Sequence, residues 1–143
     1  MKKTFLIAVD GSDASEKSIE YAAKLLHPED YELLVSFVVE DINFGMLGEG
    51  IASPNFHMQL TERGEEIVEK LAKKLDKAGF DTITEVANGD PGTELCRLAE
   101  EREAAGIIIG RRGLGAVSEF LLGSVSQYVL HHAPCPVTIV STS

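Results

Sequence analysis

The feature that most constrains this fold is the alternation of short apolar runs with segments whose apolar residues recur at helical spacing. Runs such as TFLIAV and ELLVSFVV have no continuous polar face, which is typical of strands buried on both sides of a sheet. The predicted order is β-α-β-α-β-α-β-α-β, which indicates a doubly wound α/β fold with helices on both faces of a parallel sheet. The five predicted strands are 4–9, 32–39, 82–88, 105–110 and 136–140.

Capping signals and helix breakers predict where the helices begin and end. Asp13, followed three residues later by Glu16, predicts a capping box at the start of the first helix. Periodic apolar residues predict a second helix over 58–78, and Asp90 with Pro91 predicts the N-cap and first residue of a third. The third strand has one more polar face, which suggests that it lies at an edge of the sheet.

Length and charge limit the class of protein. The 143 residues suit one domain spanning 1–143, and 23 acidic against 13 basic residues give a formal net charge of −10. That charge argues against general nucleic-acid binding and against an anionic membrane surface, because both depend on a surplus of Lys and Arg. No apolar run approaches the roughly 18 residues that span a bilayer, and the N-terminus lacks a signal-peptide pattern. We therefore expect a cytoplasmic protein in which Cys96 and Cys135 are reduced thiols and not metal ligands.

The segment GRRGLGAVSEFLLGS, residues 110–124, places four glycines around two arginines. Glycines at this density cost stability unless the backbone needs unusual dihedral angles or a close approach, so the segment is either a structural surface loop or a phosphate-binding loop. A helix predicted over 124–133 would offer an anion its free N–H groups and the positive end of its dipole. The hydroxyls of Ser124 and Ser126 would add donors, and Arg112 would add a charge-assisted contact.

Two unusual segments directly follow predicted strands. Asp10-Gly11-Ser12 comes after the first strand, and the glycine segment comes after the fourth. Ligands of open α/β sheets bind outside the carboxyl ends of the strands, where the strand order reverses. A strand order of 3-2-1-4-5 would bring both segments to that point, although the residues by themselves do not determine this order.

The spacing of the glycines decides which known nucleotide-binding motif this segment matches. The segment has no G-x-x-x-x-G-K-[ST], which excludes a Walker P-loop, and it follows the fourth strand, which disfavours a Rossmann motif. Gly110-x-x-Gly113, nine residues and then Gly123-Ser124 match the G-2x-G-9x-G-[ST] pattern of nucleotide-binding universal stress proteins. AVDGSDAS near the N-terminus, NGDP before the third helix and about the final 40 residues resemble the same family, so the similarity covers essentially the whole chain.

The resemblance implies a strand order of 3-2-1-4-5 and a homodimer formed largely through the last strand, 136–140. It also implies an adenine nucleotide (ATP, ADP or AMP, with or without Mg²⁺) across the ends of the first and fourth strands. By position in the family pattern, Asp10 would lie on the ribose–adenine side and the backbone of Val38 would meet the adenine. The residues on the ribose and phosphate side would be Gly110, Arg112, Gly113, Gly123, Ser124 and Ser126.

Several local interpretations stay open beside the resemblance. Asp10 is also suited to capping the first helix, Arg112 to pairing with Glu119, and Ser126 to bonding the backbone of its own helix. The long segment 40–57 is either a lid over the ligand or a mobile loop.

Three functions from different classes remain. The first is a stress-response regulatory module whose nucleotide occupancy is sensed by a protein partner that the sequence does not identify. The second is a slow ATP-hydrolysing or nucleotide-transfer enzyme, which needs a positioned base and a divalent ion. The only carboxylate in the glycine segment is Glu119 and no catalytic residue is evident, so the first function is favoured. The third, a dimeric interaction protein without nucleotide, fits the glycine spacing worst.

Overall fold

Five strands and four helices alternate along the residues that the computed structural model describes, which are 1–40, 54–111 and 122–141. The strands are β1 (Lys3–Ala8), β2 (Tyr31–Glu40), β3 (Asp81–Gly89), β4 (Gly106–Gly110) and β5 (Val137–Val140). The helices are α1 (Asp13–Leu25), α2 (Pro54–Lys77), α3 (Pro91–Glu101) and α4 (Ser124–His132). None of these helices is both long and apolar enough to cross a lipid bilayer.

The strands form one parallel sheet in the order β3-β2-β1-β4-β5. This confirms the order that the resemblance implies, and it places the third strand at an edge, as predicted. Strand β1 is central, because Ala8 pairs with Ser36 of β2 while Ile7 pairs with Ile108 of β4. The chain builds outward from β1 to β3 and then returns to the other side of β1, so the strand order reverses between β1 and β4.

Helices cover both faces of the sheet, because successive side chains of a strand point to opposite faces. Helices α1 and α2 cover one face, and α3 and α4 cover the other. The first face is packed by residues that include Ile7, Val35, Ile19, Leu71 and Leu75. The second is packed by residues that include Leu6, Leu34, Leu98 and Val129. The central strands therefore need apolar residues on both faces, which explains their continuous apolar runs.

The start of α1 differs from the prediction. The N-cap is Ser12, with extended backbone at φ −79° and ψ 172°, so Asp13 is the first helical residue and the predicted capping box is wrong. The Asp10 carboxylate accepts a hydrogen bond from the Ser12 N–H at 2.9 Å, and this contact turns the chain before Asp13 is reached. Asp13 and Glu16 instead lie in the first turn, where their charges favour the positive end of the helix dipole.

The other helix boundaries lie near the predicted ones. Helix α2 begins at Pro54, slightly earlier than predicted, and the chain leaves it through Gly79 at φ 97°, a left-handed conformation that favours glycine. At α3, the Asp90 carboxylate accepts a hydrogen bond from the Thr93 N–H at 3.0 Å. Pro91 follows as the first helical residue, so the predicted start of this helix is confirmed.

Candidate functional site

A cavity of about 350 Å³, called the pocket below, lies at the carboxyl ends of β1, β2 and β4, where the strand order reverses. This volume is within the range of small-molecule sites. The β1–α1 turn and the starts of α3 and α4 form its sides. Six of the eight residues predicted to contact a ligand line the pocket, and they are Asp10, Val38, Gly110, Gly123, Ser124 and Ser126. The other two, Arg112 and Gly113, lie outside the described residues.

The floor of the pocket is a row of three residues from neighbouring strands. Ala8 of β1 pairs with Ser36 of β2, and the pairing of Ile7 with Ile108 places Ile109 of β4 on the other side of Ala8. All three residues line the pocket, on the side of the sheet that α3 and α4 cover. Because the Ala8 side chain is a single methyl group, it leaves space above the centre of the sheet.

Strand β2 continues beyond the end of β1, and its main chain forms one edge of the pocket. Strand β1 ends at Ala8, whereas β2 continues to Glu40. The Ser36 C=O accepts a hydrogen bond from the Val9 N–H at 2.9 Å, so the main-chain polar groups of Ser36 point toward β1. These groups alternate in direction along a strand, so the N–H and C=O of Val38 point to the same side, past the end of β1. This is the orientation that the predicted main-chain contact of Val38 needs.

Side chains hold the turn between β1 and α1. The Asp10 Oδ1 accepts hydrogen bonds from the Ser12 N–H at 2.9 Å and from the Ser15 hydroxyl at 3.0 Å. The Asp10 N–H in turn donates to the Ser15 Oγ at 2.7 Å. Gly11 follows at φ 85°, where an added Cβ atom would lie 2.9 Å from the Ile67 Cδ1. Asp10 is therefore a carboxylate of fixed orientation at the pocket, and it organises the turn without being the N-cap.

Main-chain hydrogen bonds fix the residue after β4 and the start of α4. The Arg111 N–H donates to the Val140 C=O at 2.8 Å, and the Arg111 C=O accepts from the Gly123 N–H at 2.9 Å. Gly123 is the N-cap of α4, and its C=O accepts from the Gln127 N–H at 3.0 Å. The N–H groups of residues 124–126 come before that bond, so they have no acceptor inside the helix. These residues line the pocket, which gives it a row of main-chain donors.

The Ser126 hydroxyl has a partner that sequence reasoning did not identify. It donates to the Gly110 C=O at 2.6 Å and so ties α4 to the end of β4. This bond differs from both sequence interpretations, which gave the hydroxyl to a phosphate or to the backbone of its own helix. With its proton directed to Gly110, Ser126 retains its main-chain N–H for a bound anion. Ser124, exposed at the first position of α4, keeps a hydroxyl beside the pocket.

Two buried serine hydroxyls line the pocket without a hydrogen-bond partner among the described residues, and they belong to Ser12 and Ser36. Buried polar atoms in proteins nearly always have a partner. Three buried side-chain atoms in the described ranges lack one, and two of the three are these hydroxyls. This coincidence favours polar ligand atoms or water in the pocket. Sequence reasoning missed both residues, and the one available signal was the serine inside the apolar run ELLVSFVV.

Both helices that begin beside the pocket have a positive N-terminal end, but α3 neutralises its own. The Asp90 Oδ2 accepts hydrogen bonds from the Thr93 N–H at 3.0 Å and from the Thr93 hydroxyl at 2.8 Å. These contacts, first the N–H and then the hydroxyl, hold the pKa of Asp90 below its ordinary value. The N-cap of α4 is instead Gly123, which has no side chain with which to cap the helix. The electrostatic preference for an anion is therefore strongest at α4.

The described lining residues include two carboxylates, Asp10 and Glu40. Within the described ranges, no three His, Cys, Asp or Glu side chains lie close enough together to hold a metal ion. Asp10 is an oxygen ligand of the kind that Mg²⁺ prefers, and Mg²⁺ commonly combines one or two carboxylates with substrate phosphates. Within the described residues the carboxylates alone do not form a metal site, so a Mg²⁺ ion would be held largely by the phosphates of a ligand.

Known proteins of similar sequence identify the family. The universal stress protein family model matches residues 1–141. Universal stress protein MJ0531 of Methanocaldococcus jannaschii is 32% identical over 139 residues, which cover 96% of this chain and 81% of that protein. Universal stress protein YxiE of Bacillus subtilis is 31% identical over an alignment of 147 residues, which includes 98% of this chain and 99% of that protein.

Solved structures share the fold at lower sequence identity. Protein MJ0577 superposes with a TM-score of 0.85 at 24% identity, over 100% of this chain and 98% of that one. A universal stress protein in complex with cAMP gives a TM-score of 0.73 at 23% identity, over 99% and 98% of the two chains. A universal stress protein family protein from Arabidopsis thaliana with AMP bound gives 0.71 at 20% identity, over 99% and 92%. Because the family model spans nearly the whole sequence and both sequence relatives exceed 30% identity, this chain belongs to the universal stress protein family.

Proposed function

We propose that this chain is a cytoplasmic stress-response regulator that binds an adenine nucleotide (ATP, ADP or AMP) in the pocket, and that a protein partner senses its occupancy. The pocket itself carries this proposal, because it joins a side lined by the apolar residues Ala8 and Val38 to the open N-terminus of α4. A nucleotide has the same polarity, with an aromatic base at one end and phosphate at the other. Proteins of the same fold in complex with cAMP and with AMP support the choice of an adenine nucleotide.

In this proposal the phosphates bind at the start of α4. Gly123 has no Cβ atom in front of the N–H groups of residues 124–126, so an anion can approach them closely. The Ser124 hydroxyl adds a donor beside them. Arg112 and Gly113 complete the phosphate contacts on the strength of the family pattern.

The base binds on the β2 side, against the main chain of Val38. The N–H and C=O of Val38 face the gap beyond the end of β1, where the edge of an adenine can pair with them. Asp10 lies between this edge and the α4 side, at the end of the central strand, and accepts a ribose hydroxyl. Strands β2 and β4 are two strand spacings apart, about 10 Å, which suits the separation of base and phosphate in a nucleotide.

Calorimetric titration of the protein, after removal of any co-purified nucleotide, tests this proposal. We expect binding of ATP with Mg²⁺, with GTP as the control for the base. Gly123→Val should abolish binding, because its side chain obstructs the N–H groups of α4. Ala133→Val is the matched control at the other end of that helix, with φ −65° and ψ 144° against φ −65° and ψ 159° at Gly123. The proposal fails if ATP, ADP and AMP all leave the protein unbound, or if Gly123→Val binds as the wild type does.

The proposal includes a homodimer formed through β5. This strand pairs with β4 on one side, and within the described residues no strand pairs with its other side. Such an edge presents unpaired main-chain groups to a second copy of the chain. Sedimentation should show a dimer that Thr138→Lys dissociates and that Thr84→Lys, on the opposite edge strand β3, leaves intact. A dimer that persists in Thr138→Lys would remove β5 as the interface.

Slow ATP hydrolysis or nucleotide transfer is the alternative activity. Asp10 already accepts two hydrogen bonds inside its own turn, which makes it a poor candidate for a free base. We expect no turnover of ATP with Mg²⁺ above background in the wild type or in Glu119→Gln. Turnover in the wild type that Glu119→Gln removes would establish the enzyme instead.

A further inference from the structure

Ser36 is a fully buried polar residue in the middle of β2. It lies inside β2 with 0% of its surface exposed. Its Oγ atom has no hydrogen-bond partner among residues 1–40, 54–111 and 122–141. Leu34 and Val38, its neighbours on the same face of the strand, are apolar and pack on the side of α3 and α4. An unpaired buried hydroxyl costs free energy that an apolar side chain would avoid, so this hydroxyl indicates a partner other than the described residues.

Other buried serines show that this fold normally satisfies such hydroxyls. Ser18 is also 0% exposed, and its hydroxyl donates to the Ala14 C=O at 3.0 Å. Ser126 is 3% exposed and donates to the Gly110 C=O. Ser36 differs from them in position as well, because it forms part of the pocket floor. Burial alone therefore does not explain its missing partner, whereas a ligand in the pocket does.

The position of Ser36 on the pocket floor determines which part of a ligand it can contact. It lies on β2, whereas Gly110 lies at the end of β4, with the central strand β1 between them. Two strand spacings separate β2 from β4 by about 10 Å, which is too far for Ser36 to contact a phosphate at α4. Ala8, directly beside Ser36 in the row, leaves space for the edge of a flat ring.

We propose that the Ser36 hydroxyl hydrogen-bonds the base of the bound nucleotide and thereby favours a nucleotide over a sugar phosphate without a base. This inference rests on the proposed function and adds a specificity-determining residue to the same pocket. A hydroxyl donates one hydrogen bond and accepts others, so it pairs with a ring nitrogen or with the exocyclic amine of adenine. The bond satisfies a hydroxyl that is otherwise unpaired among the described residues.

Calorimetry with AMP and with ribose 5-phosphate tests this contact in the full chain. We expect Ser36→Ala to weaken AMP binding about fivefold, the usual effect of one hydrogen bond, and to leave ribose 5-phosphate binding unchanged. Ser18→Ala, the matched buried serine outside the pocket, should bind both ligands as the wild type does. Equal AMP affinities of the wild type and Ser36→Ala, or a parallel loss for ribose 5-phosphate, would overturn the contact with the base.

A panel of AMP analogues identifies the atom that Ser36 meets. The panel consists of 1-deaza-, 3-deaza- and 7-deaza-AMP and purine riboside monophosphate, which lacks the exocyclic amine. For one of the four, the difference between the wild type and Ser36→Ala should disappear, because the analogue lacks the paired atom. A difference that persists in all four overturns the proposal. If the wild type binds AMP and Ser36→Ala makes no difference, this inference alone fails; if the wild type binds no adenine nucleotide, the proposed function fails with it.

Discussion

The helices α3 and α4 both begin at the pocket, but their N-termini are built differently. The N-cap of α3 is Asp90, whose carboxylate accepts two hydrogen bonds from Thr93. The N-cap of α4 is Gly123, and the residues of its first turn line the pocket. Each N-terminus offers the same partial positive charge. The Asp90 carboxylate neutralises the first, whereas Gly123 has no side chain that could neutralise the second. We therefore expect the identity of a single capping residue to decide where an anion binds.

Exchanging that capping residue gives the largest expected effect. Gly123→Asp places on α4 the carboxylate that α3 carries, and the extended backbone of Gly123 accommodates it. Like charges about 4 Å apart repel by about 4 kcal/mol at an effective dielectric constant of 20, so ATP affinity should fall at least about 100-fold. Asp is also a good N-cap, so the free energy of unfolding of the ligand-free protein should rise by a few tenths of a kcal/mol.

Calorimetry and urea unfolding of the same preparation measure both quantities for Gly123→Asp. Gly123→Asn is the neutral control of nearly equal size. Its side chain obstructs and caps the same N–H groups without a charge, so it should also weaken ATP binding, but less than Gly123→Asp does. Equal affinities for the two variants would show that shape, and not charge, governs this end of the pocket.

Removing the cap of α3 should affect stability and leave binding almost unchanged. Asp90→Ala breaks both contacts with Thr93 and should lower the free energy of unfolding by about 1 kcal/mol. ATP affinity should change less than about twofold, because the α3 terminus does not hold the phosphates in this proposal. Urea unfolding and calorimetry supply the two values, and an ATP affinity that rises tenfold would instead show that α3 takes part in anion binding.

The pH dependence of this stability difference is the smallest effect. The pKa of Asp90 is lower in the folded protein than in the unfolded chain, because the Thr93 N–H and hydroxyl favour the ionised form. Its stabilisation is therefore complete above the unfolded pKa, about 4, and is lost as the pH falls through the lower folded pKa. The difference in unfolding free energy between the wild type and Asp90→Ala should be constant above about pH 5 and should decrease below pH 4. A difference that grows on acidification would contradict this assignment.

Features of the fold that depend on neighbouring residues could be predicted from the sequence. Features that depend on tertiary contacts could not. The central strands were predictable because burial on both faces forces apolar residues into continuous runs. The start of α3 was predictable because Asp90 and Pro91 act on adjacent main-chain groups. The start of α1 was not, because Asp10 takes the Ser12 N–H and moves the N-cap away from Asp13.

The candidate site shows the same division. Glycine spacing and the family resemblance predicted six residues that line the pocket, because both describe positions along the chain. The bond from Ser126 to Gly110 joins residues 16 positions apart and depends on how α4 packs against β4. The unpaired hydroxyl of Ser36 was still harder to predict from the sequence, since it depends on which hydrogen-bond partners the surrounding elements provide.

The floor row of Ser36, Ala8 and Ile109 has a consequence for how binding would register in amide hydrogen exchange. These residues belong to three hydrogen-bonded strands at the centre of the sheet, so their amides exchange mainly when the whole domain opens. The amides of residues 124–126 have no acceptor inside their helix and exchange through small local openings. A nucleotide would therefore slow exchange at the start of α4 by covering those N–H groups, and it would slow exchange of the floor through the gain in global stability. The helix terminus would report occupancy directly, and the floor would report it through the stability of the whole domain.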